Sequence, residues 1–378
     1  MRRARVAGVL AVVGAIAAAA CSPTPGPTAG PTVVVAAETD VPTPSARATQ
    51  RPVTTPTATP RSSAAPSATP SGAPSETPEP PDPKGRTSLD LRVTYDVKAA
   101  IGGGDGSLEV TTLLRVSNDS GAPVDHLELN TIAAALGGIR VIESTVDDQP
   151  VKVRITAQTI EVPLGDVLEA GETTDVRIGY RARLRAGLSG SDWMFSHAGD
   201  TVVLYRWIPW VSRTMPFDRP NDGQPFITPV SPRVDVEIVT DRPMILAAPT
   251  PEVVRAGVGS GGAWAFSMQD VRDVSVVLAP DFKVHEGKAA GVEIRVYAPS
   301  GSPNASRLLS LARQAVSSQT DLLEVDFPRS FLAVVETEGG EALEAPGLIW
   351  VPRTKDTLNR TYLVHQQVAH QWFYGLVG

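Results

Sequence analysis

From Leu89 onward, apolar and polar positions alternate. Leu89, Leu91, Val93, Tyr95 and Val97 are separated by polar residues, Gly102 to Gly106 offer a turn, and Leu108, Val110, Thr112, Leu114 and Val116 alternate again. This period of two predicts a β-hairpin. Further strands are predicted at Val151–Ile155, Ile160–Val162, Val176–Tyr180, Val202–Tyr205, Val234–Val239, Val274–Leu278 and Val292–Tyr297. Many short strands punctuated by Gly, Pro and Asp predict a mostly β, antiparallel domain over residues 87–290. After Pro299 the period becomes helical. Ser302 is the predicted N-cap with Pro303 in the first turn, and Leu308, Leu311, Ala312, Ala315, Val316, Leu322 and Leu323 share one broad face of a helix about twenty residues long. Two short buried strands follow, Phe331–Val335 and Gly347–Val351. A last helix, capped at Asp356 or Thr357, runs into the closing stretch TYLVHQQVAHQWFYGLVG, Thr361 to Gly378.

Upstream of Leu89 the composition excludes a packed core. Residues 22–86 hold 16 of the 34 prolines, many Thr, Ser and Ala, and no aromatic residue. Such a segment cannot bury enough apolar surface to offset its chain entropy and is expected to be a disordered, semi-rigid stalk. Residues 1–21, MRRARVAGVLAVVGAIAAAAC, have a basic start, an apolar run and small residues before Cys21, the pattern of a secretory signal. The ending Ala18-Ala19-Ala20-Cys21 resembles a bacterial lipobox, with Ala18 where Leu is usual. That resemblance implies a lipidated Cys21 and a chain outside the cytoplasm, anchored to the cell membrane. A plain cleaved signal with a free cysteine, or an uncleaved anchor, are the alternatives. Cys21 is the only cysteine, so the chain forms no internal disulfide. The net charge is −7 with no basic stripe, which points away from nucleic acid.

The segment from Asp192 to Pro232 is rich in proline and tryptophan. Trp193, Trp207 and Trp210, with Trp264 further on, stand near Arg206, Arg213 and Arg219. Rings and guanidinium groups at this density could make a recognition surface. The favoured reading is a long loop anchored by buried tryptophans.

Two stretches bear on chemistry. In the closing helix, His370 is followed by Gln371, Trp372 and Phe373, and Gly340-Glu341-Ala342-Leu343-Glu344-Ala345-Pro346-Gly347-Leu348 lies just upstream. Together they resemble the M1 aminopeptidases, whose zinc helix carries H-E-x-x-H followed closely by Q-W-F and whose exopeptidase motif is G-x-M-E-N. The resemblance spans residues 87–378. It implies a saddle-like N-terminal β domain followed, from residue 291, by the truncated α+β start of a thermolysin-like catalytic domain. The W-x-P-W run at Trp207 is also similar to a substrate-side loop in some bacterial M1 proteins.

The resemblance implies a role for each matching position. Glu344 would bind the free α-amine of a peptide, a fitting task for an ionised acceptor. His370 would be a zinc ligand, Gln366 occupies the place of the first histidine, and Gln367 that of the general-base glutamate. Zinc hydrolysis of this kind needs histidines at i and i+4 and a carboxylate to take a proton from the metal-bound water. A glutamine amide is a weak ligand and no base. His365, five residues before His370, is turned about 140° away around the helix and cannot chelate the same ion. The family's third ligand, a glutamate on a later helix, is not found before Gly378. Zinc is therefore expected for the family and not for this chain. His126, His197 and His285 are scattered among the β segments and read as structural residues. Two functions remain: a non-catalytic M1-like envelope lipoprotein that binds peptide or protein N-termini, or part of a zinc aminopeptidase, the chain being a fragment or complemented by a longer product.

Overall fold

The computed structural model describes residues 91–211, 228–256 and 261–375. Cys21, the stalk, Arg213 and Arg219 lie outside the described residues. The first strands behave as their alternation predicts. Leu91–Ile101 pairs antiparallel with Ser107–Asn118, from Leu91 opposite Asn118 to Ile101 opposite Leu108, and Leu91, Val93, Tyr95 and Val97 are buried. This hairpin is the centre of an eight-stranded sheet whose buried face meets two four-stranded sheets, forming one large core. One pairing departs from the antiparallel expectation. Val234–Thr240 runs parallel to Leu91–Ile101, a geometry that needs a long connection between the two strands and is invisible to local periodicity.

Other details differ from the pattern reading. Of the run Val151–Ile155 only Arg154 and Ile155 are strand, in Arg154–Thr156; Val151, Lys152 and Val153 connect it to Gln149–Pro150, which belongs to a different sheet. Gly262–Met268 and Phe282–Ala289 are strands that the alternation did not single out. The second of these, with Val284 41% exposed, has too few apolar residues to signal itself.

A five-stranded sheet carries the C-terminal part: Phe282–Ala289, Val292–Pro299, Phe331–Thr337, Leu348–Pro352 and the edge strand Leu343–Ala345, in that order. Its three central strands are parallel to one another; Phe331–Val335 and Leu348–Val351 are apolar throughout because both faces are covered, whereas Val292–Pro299 alternates apolar residues with Glu293 and Arg295. Phe331, Ala333, Val335, Leu348 and Trp350 join the core of the β domain. Leu332, Val334, Ile349 and Val351 face two helices, Ala305–Leu323 and Thr357–Gly375.

The first long helix presents Leu308, Leu311, Ala312, Ala315 and Val316 to that sheet as the spacing predicts, while Leu322 and Leu323 stay exposed. It starts at Ala305 with Asn304 in the cap position, later than the predicted Ser302 and Pro303. Beside it lies Glu336, a fully buried carboxylate at the end of Phe331–Thr337. It takes the hydroxyl of Ser302 and, at 2.7 Å, the side-chain amide of Asn304, so the Asn304 side chain serves the strand instead of the helix end, while Ser302 Oγ also accepts the Asn304 backbone amide at 3.1 Å and supports the turn into the helix.

Candidate functional site

The closing helix begins where the sequence places it. Asp356 Oδ1 accepts the amides of Leu358 at 2.9 Å and Asn359 at 3.1 Å, satisfying two donors that the first turn leaves open. Arg360, Val364, Gln367, Val368, Gln371 and Trp372 are buried, a helical stripe that lies against the sheet and the first long helix. Trp372 anchors the C-terminal turn. Its Nε1 donates to the carbonyl of Val325 at 3.1 Å, and its ring meets Phe327 edge-on at 5.0 Å. The His365 carbonyl accepts from Gln319 Nε2 at 2.7 Å, and partial burial lowers the imidazole's pKa below the ordinary histidine value.

Opposite this helix runs the acidic stretch. Two glycines shape it. Gly340 has φ +86°, and a Cβ there would come within 2.6 Å of the Trp193 ring. Gly347 has φ +75°, and a Cβ there would stand 2.9 Å from the Pro249 carbonyl oxygen. Between them the chain forms the edge strand Leu343–Ala345, with Glu344 opposite Ile349. The partner residue Ile349 faces the helices, and Glu344 points the same way.

There the two best candidates meet. Glu344 Oε2 lies 3.0 Å from His370 Nδ1, with the Glu344 side chain 6% and that of His370 35% exposed. The next helical residue reaches the same strand: Gln371 Nε2 donates to the Ala345 carbonyl at 3.1 Å, and Gln371 Oε1 accepts the Gly347 amide at 2.8 Å. Sequence reasoning assigned Glu344 and His370 separate tasks and gave Gln371 none. An acidic loop is ordinarily solvated; here its second glutamate is buried against an imidazole.

Behind the edge strand lies a polar group that the pattern reading missed. The Tyr205 ring meets Trp350 edge-on at 5.7 Å, and Trp350 is the cross-strand partner of Leu343. Arg206 Nε donates to the Tyr205 hydroxyl at 3.0 Å and lies 3.9 Å from Asp273 Oδ2, which accepts Ser275 Oγ at 2.9 Å. Burial pushes the Tyr205 phenol up to about 12; the Arg206 charge opposes this, and the charges of Asp273 and Glu344 add to it. Burial likewise raises Asp273 above the usual carboxylate range, against the pull of Arg206. Arg206 sits at φ +43°, rare for a side chain with a Cβ, and its backbone is pinned by Ile132, Thr131 and Ser275. No local sequence signal announces that conformation.

The tryptophans settle as anchors. Trp193, Trp207, Trp210 and Trp264 are at most 5% exposed, Trp210 stacking on Tyr95 at 4.2 Å, so the described part of the segment offers no open aromatic surface. His126, His197 and His285 fall in three different sheets.

The metal question turns on the donor set around His370. Gln366, half-buried, and Gln367, 4% exposed, occupy the positions four and three residues before it. The Gln367 Oε1 has no hydrogen-bond partner among the described residues. Hydrolytic zinc takes imidazoles and carboxylates and leaves a carboxylate to serve as base. Here one imidazole, already against a carboxylate, stands beside two carboxamides, and among the described residues no three His, Cys, Asp or Glu converge. These residues do not fit such an ion.

No protein-family model matches the chain, and no curated protein does. Solved structures do. The M1 zinc metallopeptidase from Deinococcus radiodurans is similar at 21% identity and a TM-score of 0.51, over 75% of this chain and 64% of that one. A mutant of the Deinococcus radiodurans M1 zinc metallopeptidase bound to a Tyr-Ser-Ala substrate is similar at 19% identity, with the same coverage and TM-score. The described residues therefore have the fold of M1 zinc metallopeptidases, a mostly β N-terminal domain followed by a smaller part with helices. The chain spans under two thirds of the length of these structures.

Proposed function

We propose that this protein is an M1 aminopeptidase-like envelope lipoprotein that binds the free N-terminus of a peptide or protein without cleaving it, held at the membrane by a lipidated Cys21. The observation that carries this reading is the pair of a buried Glu344 and a half-exposed His370, in a helix whose base position is Gln367. An ionised carboxylate shielded from water is a strong acceptor for an ammonium group. A carboxamide at position 367 cannot take a proton from water, so the arrangement favours binding over hydrolysis. That a similar protein is crystallised with Tyr-Ser-Ala makes a short peptide the natural probe.

Calorimetric titration of the full chain with Tyr-Ser-Ala and with its N-acetylated form tests the reading. The free peptide should bind and the acetylated one should bind at least about tenfold more weakly, a difference of about 1.4 kcal/mol. Glu344→Gln should remove most of the difference. Equal affinity for both peptides would sink the assignment of Glu344 to the amine.

A second reading treats the chain as one part of a zinc aminopeptidase. It draws support from the 64% of the similar structure that the chain covers. In that case cleavage should appear only when further polypeptide is supplied, and the titration above should not depend on Glu344 in the isolated chain.

A further inference from the structure

Glu344 is the residue on which the proposed binding depends, and its strand is poorly held by the sheet. Leu343–Ala345 is three residues long, lies at the sheet edge and pairs on one side only, through Leu343 with Trp350, Glu344 with Ile349 and Ala345 with Leu348. Short edge strands open readily. The residue after it, Pro346, has no amide hydrogen to add to the ladder. Something outside the sheet must fix the strand if Glu344 is to meet His370 in one geometry.

Gln371 is placed to do this. Its side chain is 3% exposed, and its one carboxamide spans Pro346 by taking the amide hydrogen of Gly347 and giving its own to the carbonyl of Ala345. Both groups belong to the turn that leaves the edge strand, and Gly347 is in turn held from the sheet side, its carbonyl accepting the Ala333 amide at 2.9 Å. Because Gln371 follows His370 directly, one turn of helix both contacts the Glu344 carboxylate and fastens the residues just after it.

We propose that Gln371 is a positioning residue, whose carboxamide bridges Ala345 and Gly347 and so fixes the Glu344 carboxylate for a ligand ammonium. The inference rests on the amine-binding reading above. The chemistry also says why the residue is a glutamine. A carboxamide offers a donor and an acceptor side by side, whereas a carboxylate would turn an acceptor toward the Ala345 carbonyl and bring a second negative charge near Glu344. A methionine has similar length and neither group, and would leave a buried donor and a buried acceptor unmatched.

Two variants of the full chain, Gln371→Met and Gln371→Glu, separate positioning from bulk stability. The first readout is the ratio of affinities for Tyr-Ser-Ala and its N-acetylated form, which a partly unfolded sample leaves unchanged because both peptides see the same folded fraction. The second is hydrogen exchange at the Gly347 amide. Both variants should lower the ratio at least about fivefold. The Gly347 amide should exchange faster in Gln371→Met and stay protected in Gln371→Glu, which keeps the acceptor. An unchanged ratio in Gln371→Met, or an unchanged Gly347 exchange rate there, overturns the inference. A wild-type chain with no preference for the free amine overturns the binding reading itself, and the inference with it; a wild-type preference that both variants retain overturns only the inference.

Discussion

Glu344 touches His370 because two glycines let the chain turn where a side chain would collide, at Gly340 against Trp193 and at Gly347 against Pro249. At Gly347 both the positive φ and the close carbonyl exclude a Cβ. Gly347→Ala should therefore cost about 1–3 kcal/mol in urea unfolding and weaken Tyr-Ser-Ala binding as well. Unchanged stability would mean that the turn relaxes freely. Residue types were legible in the sequence; their meeting was not. Glu344 and His370 stood out from their motifs, while Tyr205, Asp273 and Gln371 acquired a place only once distant strands were brought together, and Arg206 was visible as a charge without its left-handed backbone. The tryptophans are the converse case, since the favoured reading of a loop anchored by buried rings is what the structure shows for Trp193, Trp207 and Trp210.

At the level of elements, periodicity was a good guide where an element is long and half-buried. The opening hairpin and the closing helix follow their patterns, and the first long helix follows its own from Leu308 to Val316 but leaves Leu322 and Leu323 exposed. It failed where an element is short, as in Leu343–Ala345, or where a neighbour redirects a side chain, as Glu336 does to Asn304. The parallel pairing of Leu91–Ile101 with Val234–Thr240 is a long-range choice that no window of sequence contains. The cap at Asp356 was legible, and it has a measurable weight. Asp356→Ala frees the amides of Leu358 and Asn359 and should cost about 1 kcal/mol in thermal or chemical unfolding. In the first long helix, Leu308, 1% exposed, faces the sheet, and Leu308→Ala should cost about 2–5 kcal/mol by the same assay. A loss below about 1 kcal/mol there would contradict the packing of that helix face.

For the whole molecule, the five-stranded sheet ties the parts together, one face in the core of the β domain and the other under the two helices. That sandwich belongs to the fold of M1 zinc metallopeptidases, and it holds Glu344 against His370 on the closing helix, with Gln366 and Gln367 four and three residues before that histidine. In the proposed function, recognition of an amine is separate from the chemistry of cleavage, and only the first is proposed for this chain. At the membrane the corresponding expectation concerns Cys21: Cys21→Ser should move the protein from the membrane fraction to the soluble one. Recovery of that variant with the membranes would argue for another anchor. The most direct test of the central claim is to incubate the full chain, with one equivalent of zinc added, with Tyr-Ser-Ala and to follow the peptide by mass spectrometry over a day. The peptide should bind and be recovered intact. Release of free tyrosine at a rate proportional to the amount of protein would contradict the account.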